Sequence, residues 1–411
     1  MVMFPRKLKA EVEKYLTTRE IVVIHGARQV GKTTLLELLG RDLPPADQQY
    51  LDLEDSRLLD LCQQGPAAVK EYLGQLGRYK GQKKFFLMID EIQYLSNPSS
   101  FLKLFHDHYP EFKLIVSGSS SFDIKKKFKD SLTGRTADFI LHPLDFEEFL
   151  TFKGSSYSLK PGPRPGPIGR ELENLYRQYA LYGGYPKIVL TDSIEAKEKY
   201  LQQIIDTYVK KDIRDLGNIR DPAKFNGLLA ALAGQSGSLL NVTELANTAR
   251  LSRQTVEQYL FILENTFVIR LLRPYSRNLR SELFKTPKIY VLDPGIMQML
   301  STRRLPAELL GPALETAVFS DLAKHDGREY YFWRTQDKKE IDFVVKNGNH
   351  LLPAEVKLNA TGFKSGAMEY FLDHYRQKKG LCVSLTGTKA VKDNRISFIK
   401  PWELLTALQS D

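Results

Sequence analysis

Apolar and polar positions follow a changing period along this chain, and the changes mark its elements. From Pro5 to Tyr15 the apolar residues Leu8 and Val12, with Leu16 just beyond, fall on one side of a repeat of about 3.6 residues, which predicts a helix. Ile21-Val22-Val23-Ile24 is a short β-branched run that stops at Gly26 and restarts as the leucine-rich TTLLELL, so a buried strand passes into a helix. Gln49–Leu53, Phe85–Gln93, Lys113–Ser117 and Asp138–Leu141 read as further strands. Between them lie a partly polar helical stretch up to about Lys80 and a helix from Phe122 to Leu132. Strands alternating with helices in this way predict a parallel α/β sheet.

Beyond this region the pattern breaks. Gly154–Gly169 (GSSYSLKPGPRPGPIG) interrupts any helix or central strand with repeated proline and glycine, and reads as a linker or loop. Glu171–Leu190 is helical around Gly183-Gly184-Tyr185-Pro186, and a second helical run covers Ile194–Leu216. From Asn241, a short amphipathic helix carries Val242, Leu245 and Ala246, and a turn follows at Arg250–Leu251. Ser252 then N-caps a second helix that turns Val256, Leu260 and Leu263 inward. Phe267–Leu272 completes a helix-turn-helix with a wing, in which Arg253, Gln254 and Gln258 face outward. Such a wing also serves as a structural joint, and Glu257 sits among few cations on that helix.

Near the end, Ile341–Lys346 and Leu351–Leu358 form a hairpin around Asn347-Gly348. A two-residue loop makes paired numbers sum to 695, with Asp342 opposite Pro353; a four-residue loop makes the sum 697, with Asp342 opposite Glu355. Either way the alternation of strands puts Asp342, Glu355 and Lys357 on one face. Ile341, Phe343, Val345, Ala354, Val356 and Leu358 occupy the other, which is core.

The chemistry gathers at the first strand-to-helix turn. Gly26, Gly31, Lys32 and Thr33 fit G-x-x-x-x-G-K-[ST], between a strand and a helix as that motif requires. Backbone N–H groups of Gly26, Ala27, Arg28, Gln29, Val30, Gly31, Lys32, Thr33 and Thr34 can cradle phosphates, and the helix start adds its positive dipole end. Lys32 answers the phosphate charge and Thr33 offers a hydroxyl to Mg²⁺. The strand FFLMIDEIQ ends in two acids. Asp90 would hold Mg²⁺ through water, and Glu91 would act as general base on the attacking water. Ser117 or Ser119, at the next strand end, could sense the γ-phosphate. These features predict an ATPase.

Composition adds bounds. At 411 residues the chain is long enough for roughly two to four domains. A 42% hydrophobic and 26% charged content is that of an ordinary soluble globular protein. Two cysteines, Cys62 and Cys382, exclude a disulfide framework or zinc cluster and point to a reducing cytoplasm. Charges every few residues at the start give no signal peptide, and no stretch reaches the ~18 apolar residues of a membrane span. The formal charge of +10 is a hint of a polyanionic partner.

GARQVGKTT, LMIDEIQ, the VSGSSS strand end, SLTGR and HPLDFEEFL together resemble the ATPase module of a large prokaryotic AAA+ family whose C-terminal region is of formally unknown function. The resemblance implies a homo-oligomer in which Arg135, just before the fifth strand, reaches the neighbouring subunit's nucleotide. It also likens GGYP to a nucleotide-binding lid, with Pro186 a candidate contact to adenine. The hairpin resembles the PD-(D/E)xK nuclease core, in which D…ExK binds Mg²⁺. Glu315, in LETAVFSDLAKH, fits the helix acid of that core, so Glu315, Asp342, Glu355 and Lys357 form the implied site, with a second Mg²⁺ or Mn²⁺ as its ion.

The expected architecture is α/β: an AAA+ core with a parallel sheet (1–153), the linker (154–169), a helical lid (170–220), a winged helix (221–280) and a restriction-endonuclease-like α/β domain (281–411). The expected function is that of a cytoplasmic, Mg²⁺-dependent ATPase associated with DNA by structure rather than sequence. The competing reading is a nucleotide-dependent switch that binds a protein and carries an inactive nuclease-like domain.

Overall fold

The structure is a computed structural model that describes residues 4–118, 132–162, 164–213, 219, 221–276, 286–325, 327–348 and 350–409. Ser119, the expected helix 122–132 apart from Leu132, and Asn349 lie outside the described residues. The chain divides into two compact units, Met1–His142 and Pro143–Asp411. Among the described residues no helix is long and apolar enough to cross a membrane.

The first unit is built on five parallel strands: β1 (Ile21–His25), β2 (Gln48–Asp52), β3 (Phe85–Asp90), β4 (Phe112–Gly118) and β5 (Thr136–Ile140), in the order β2-β3-β4-β1-β5. β1 pairs with β4 on one side and β5 on the other, and all five of its residues are buried. That is why it is apolar without alternation. On one face Ile21, Val23, Leu87, Ile89, Leu114 and Val116 join the core formed with Cys62, Val69, Leu73, Phe101 and Phe105 from the helices Ser56–Gln63, Pro66–Gln75 and Pro98–His108. On the other, Met88 meets Gly40 at the end of the helix Lys32–Arg41, where an added Cβ would lie 3.0 Å from the methionine methyl. The expected strand Phe85–Gln93 stops at Asp90, because Glu91 adopts a left-handed φ of 56° and starts a tight turn over Ile92–Tyr94.

In the second unit, helices Phe146–Phe152, Gly166–Tyr182, Pro186–Val189, Ile194–Ile204, Pro222–Gly234, Val242–Ala249 and Arg253–Asn265 precede a two-stranded antiparallel pair, β6 (Ile269–Leu272) and β7 (Lys288–Val291). This pair crosses the boundary expected at 280–281. The linker expected through Gly169 is shorter, because the helix starts at Gly166: proline is tolerated in a first turn, where its missing N–H has no partner to lose. The expected run to Leu216 continues past Ile204 as a π-helix over Ile205–Asp212. The two helices Val242–Ala249 and Arg253–Asn265 are separated by Arg250, left-handed at φ 55°, and Ser252 caps the second by accepting from Thr255 N.

The unit's large sheet has the order β12-β11-β10-β9-β8, built from β8 (Glu329–Arg334), β9 (Glu340–Asn347), β10 (His350–Asn359), β11 (Gly380–Thr386) and β12 (Ile396–Ile399). β8, β9 and β10 run antiparallel, whereas β10, β11 and β12 run parallel. Asn347 pairs with His350, so the hairpin register sums to 697, with Gly348 (φ 57°) opening a turn shorter than the four-residue loop expected for that sum. One face carries Phe343, stacked against Phe319 of the helix Gly311–Ala323. The acid-bearing face is also packed toward the turn, because Val344 and Leu351 lie with Met368, Phe371 and Leu372 of the helix Gly366–Tyr375.

A tight joint holds the helical part together. Asp293 caps the helix Pro294–Thr302, accepting from Ile296 N at 3.0 Å, and also accepts from Gly184 N at 2.8 Å. Burial raises the pKa of Asp293, while the N–H donors favour its charged form. Leu144 N donates to Gly184 O at 2.7 Å, and a Cβ on Gly184 would stand 2.2 Å from Leu144 O. Gly184→Ala should therefore lower stability by more than about 2 kcal/mol. Gly227→Ala, in a helix with open space around it, should instead stabilise by roughly 0.5–1 kcal/mol. Urea unfolding of both variants checks the pair, and similar midpoints would contradict the close-approach account.

Candidate active site

The P-loop follows directly from the end of β1. Gly26 is required there, since a Cβ would lie 2.3 Å from Leu141 O, and Gly31 is left-handed at φ 99°. Gln29, at φ 64°, takes the same strained region and is exposed, whereas Ala27 and Val30 are buried and Arg28 is half-buried. Gly31 supplies no side-chain cap to the helix Lys32–Arg41, so backbone donors at its start remain available to an anion. Thr33 and Thr34 stand exposed in that first turn. Lys32 is 5% exposed, and its ammonium donates to Gly26 O and Ala27 O, each at 3.2 Å. Burial lowers its pKa, opposed by the nearby charges of Glu91 and Asp90.

Asp90, at the carboxyl end of β3, is the centre of the site. Its Oδ2 accepts from Thr33 Oγ1 at 2.5 Å and from Tyr50 OH at 2.9 Å. Its Oδ1 accepts from Glu91 N at 3.0 Å and from Ser117 Oγ. Burying a carboxylate is costly unless such donors are present, and here each oxygen has two. Thr33 and Asp90 form a hard-oxygen pair that suits Mg²⁺. Glu91 lies beside them with Oε2 accepting from Gln93 Nε2. Of the two serines expected to sense the γ-phosphate, Ser117 is drawn onto Asp90, and Ser119 lies outside the described residues.

Two participants escaped the sequence reading. Tyr50 reaches Asp90 because β2 pairs with β3 in a register that sets Asp52 beside Asp90. Burial of Tyr50, followed by the Asp90 charge, pushes its pKa well above the usual value. Arg6, 7% exposed, donates to Val30 O within the P-loop and to His142 O, both at 2.7 Å. No local pattern marks either residue. Arg135 pairs with Asp107 of its own chain, at 2.9 and 3.2 Å, and this bond holds the Asp107 carboxyl well below its usual range. Pro186 is half-buried at the start of the helix Pro186–Val189, after a Gly183-Gly184 pair engaged with Asp293 and Leu144.

In the second unit the structure brings Glu315, Asp342, Glu355 and Lys357 into one charged cluster, together with Lys288, Tyr290 and Glu340, which the sequence reading missed. Lys288 of β7 is 4% exposed. Its ammonium lies 2.7 Å from Glu340, 3.3 Å from Glu315 and 3.8 Å from Asp342. Tyr290 OH donates to Glu315 at 2.6 Å. Asp342 accepts from Val356 N at 2.8 Å, and Lys357 pairs with Glu355 at 2.8 Å. Burial lowers the pKa of Lys288, but Glu315, Asp342 and Glu340 more than offset it, so its net shift is upward. Among the described residues no three acidic, histidine or cysteine groups are arranged to hold a metal ion. Where the resemblance implies a second Mg²⁺ or Mn²⁺, the Lys288 ammonium stands among Glu315, Glu340 and Asp342, while Glu355 Oε2 is buried with no hydrogen-bond partner among the described residues. Glu340 could have been found from the two-residue period it shares with Asp342. Lys288 and Tyr290 could not, since a separate strand delivers them.

Comparison with known proteins places the parts. Residues 18–150 match the family described as an AAA domain, which together with the sheet and P-loop defines this region as an AAA-type P-loop ATPase domain. Residues 173–307 and 310–405 match two families described as domains of unknown function, DUF8612 and DUF4143. The chain is similar to an uncharacterized protein of Methanocaldococcus jannaschii, 27% identical over 363 residues that cover 86% of this chain and 78% of that protein. An uncharacterized protein of Haemophilus influenzae is 25% identical over 355 residues, 84% of each chain. Among solved structures, the Walker-type ATPase of Pyrococcus abyssi covers 72% of this chain and 95% of its own, at 15% identity and a TM-score of 0.45. The ORC2 protein of Aeropyrum pernix covers 77% and 92%, at 12% identity and a TM-score of 0.41.

The carboxylate cluster gives a pH signature. Burial first, and the Asp342 charge second, raise the Glu315 pKa from the ordinary 4.5 to about 7. The folded chain then binds this proton more tightly than the unfolded chain. Its stabilising contribution is full below about pH 4.5 and is lost as pH rises to about 7. Glu315→Gln should flatten that part of the stability profile. Urea midpoints at about pH 5 and about pH 7.5 should therefore differ less in the variant than in the wild type.

Proposed function

We propose that this protein is a Mg²⁺-dependent ATPase that works in association with DNA, as a motor or switch, from a homo-oligomer. The observation that carries the reading is the convergence of Thr33, Tyr50, Glu91 and Ser117 on the buried Asp90 carboxylate, with the buried Lys32 ammonium in the P-loop beside an uncapped helix start. On nucleotide binding, Lys32 exchanges its bonds to Gly26 O and Ala27 O for the β- and γ-phosphates, which gives its buried charge a full counter-charge. The hydroxyl of Thr33 and the carboxylate of Asp90 would hold Mg²⁺, which would neutralise phosphate charge. Glu91 takes the proton of the attacking water. Tyr50 keeps Asp90 oriented from the neighbouring strand. Ser117, or Ser119 beyond it, senses the γ-phosphate. Arg135 serves the neighbouring subunit's site after giving up its pair with Asp107.

DNA association is supported by the charge of +10 and by the helix Arg253–Asn265, whose Arg253, Gln254 and Gln258 are all exposed in the winged-helix reading of residues 221–280. Lys32→Ala should abolish nucleotide binding. Glu91→Gln should bind ATP yet turn it over at least about 100-fold more slowly, as loss of a general base implies. Filter binding and phosphate release, with and without single-stranded, duplex or branched DNA, check both substitutions. Wild-type turnover by Glu91→Gln would remove Glu91 from the base role, and turnover indifferent to every DNA would favour a protein-binding switch.

One observation favours a part of the competing reading. The Lys288 ammonium among Glu315, Glu340 and Asp342 supports a nuclease-like fold whose site is closed by its own lysine. Such a fold is a binding module rather than a phosphodiesterase. With duplex or branched DNA in Mn²⁺, wild type and Asp342→Ala should show the same nicking background. Nicking that only the wild type supports would restore the active-nuclease reading.

A further inference from the structure

We propose that the C-terminal sheet binds the phosphodiester backbone of duplex DNA along a basic seam at its hairpin-turn end. The inference rests on the DNA-associated reading above and gives it a surface. Two cavities, of about 440 Å³ and about 300 Å³, share Arg328 in their walls and so adjoin. Among the described residues, Arg270, Arg273, Arg328, Arg376, Lys378 and Lys379 line them, six cations against the carboxylate of Glu329. Even that acid is answered, since Lys346 pairs with it at 2.8 Å.

The seam is built from elements that are otherwise unrelated in sequence. Arg270 and Arg273 come from β6 and the residue after it, Arg328 from the entry to β8, and Arg376 from the left-handed end (φ 53°) of the helix Gly366–Tyr375. Arg328 is already positioned, because its guanidinium donates to Leu408 O at 2.7 Å. Arg273, Arg376 and Lys378 are exposed, so their charges are free to exchange water for phosphate. Guanidinium groups match phosphate oxygens as planar forks, and a run of cations suits a regular polyanion.

The larger cavity stands apart from the carboxylate cluster. Asn347, at the turn, lines the larger cavity, and a strand rise of about 3.4 Å per residue sets it about 17 Å along β9 from Asp342. A backbone seated at the larger cavity is therefore held away from those acids, which makes the domain a clamp.

The test is anisotropy of a fluorescein-labelled duplex titrated with full-length wild type and with the triple variant Arg273→Gln/Arg376→Gln/Lys378→Gln, over a series of KCl concentrations. The substituted side chains are exposed, so an unchanged melting temperature serves as the folding control. Each lost phosphate contact removes about one unit from the slope of log K against log[KCl], so the variant should bind more weakly with a slope shallower by about three. A wild type that binds with the same affinity and slope as the variant would overturn the seam and leave DNA association standing. A wild type that binds no duplex at low salt would overturn the DNA reading and the seam together. Equal affinity for polyglutamate and duplex, at equal charge concentration, would overturn the assignment to a phosphodiester backbone.

Discussion

A carboxylate buried at the end of a parallel strand must be supplied with hydrogen bonds, and the first unit is arranged around how Asp90 obtains them. Four donors reach it: Thr33 from the P-loop helix, Tyr50 from β2, Ser117 from β4 and the backbone of Glu91. Each arrives from a different element, so the strand order β2-β3-β4-β1-β5 is what brings the nucleotide machinery to one point. Parallel strands place all their carboxyl ends on one edge, and the P-loop on β1 then opens beside the acids on β3. Arg6 completes the arrangement by tying the P-loop carbonyl of Val30 to His142 at the last residue of the unit.

The second unit meets the same constraint by other means. Asp293 is fully enclosed and takes backbone N–H groups from two segments, which turns a buried acid into a fastener for the Gly183-Gly184 bend. Glu315, Glu340 and Asp342 instead share the ammonium of Lys288. Removing one partner from such a cluster leaves an uncompensated buried charge, typically a loss of about 3–5 kcal/mol, so Lys288 pins β7 against the large sheet. The joint between the helical part and the large sheet is thus ionic where a metal-dependent site would be hydrated. Charge also differs along β9: Glu340 and Asp342 meet Lys288 at one end, and Arg376 and Lys378 stand exposed near the turn.

How much was legible in the sequence differs between the parts. The P-loop, the Asp90-Glu91 pair and the alternation of strands and helices could be read directly, because phosphate binding needs glycines and a lysine at fixed spacing and a buried parallel strand needs an unbroken apolar run. The face shared by Asp342, Glu355 and Lys357 followed from the two-residue period of a strand. The starting point of the helix at Gly166 was hidden by Pro165 and Pro167, whose usual effect is to break helices but which the first turn accepts.

Local pattern by itself therefore determined most of the strands and helices, the P-loop and the acid pair at the end of β3, since those demands act over a few neighbouring positions. Only the tertiary structure decided what stands beside those residues. Tyr50 and Ser117 reach Asp90 through sheet order, and Arg6 reaches Val30 from the chain's beginning. Lys288 enters the carboxylate cluster from a strand that pairs with β6, and Arg328 joins two basic cavities whose walls come from distant segments. Burial, charge compensation and hydrogen-bond satisfaction are summed over whatever the fold brings within a few ångströms, and no sequence period records that sum.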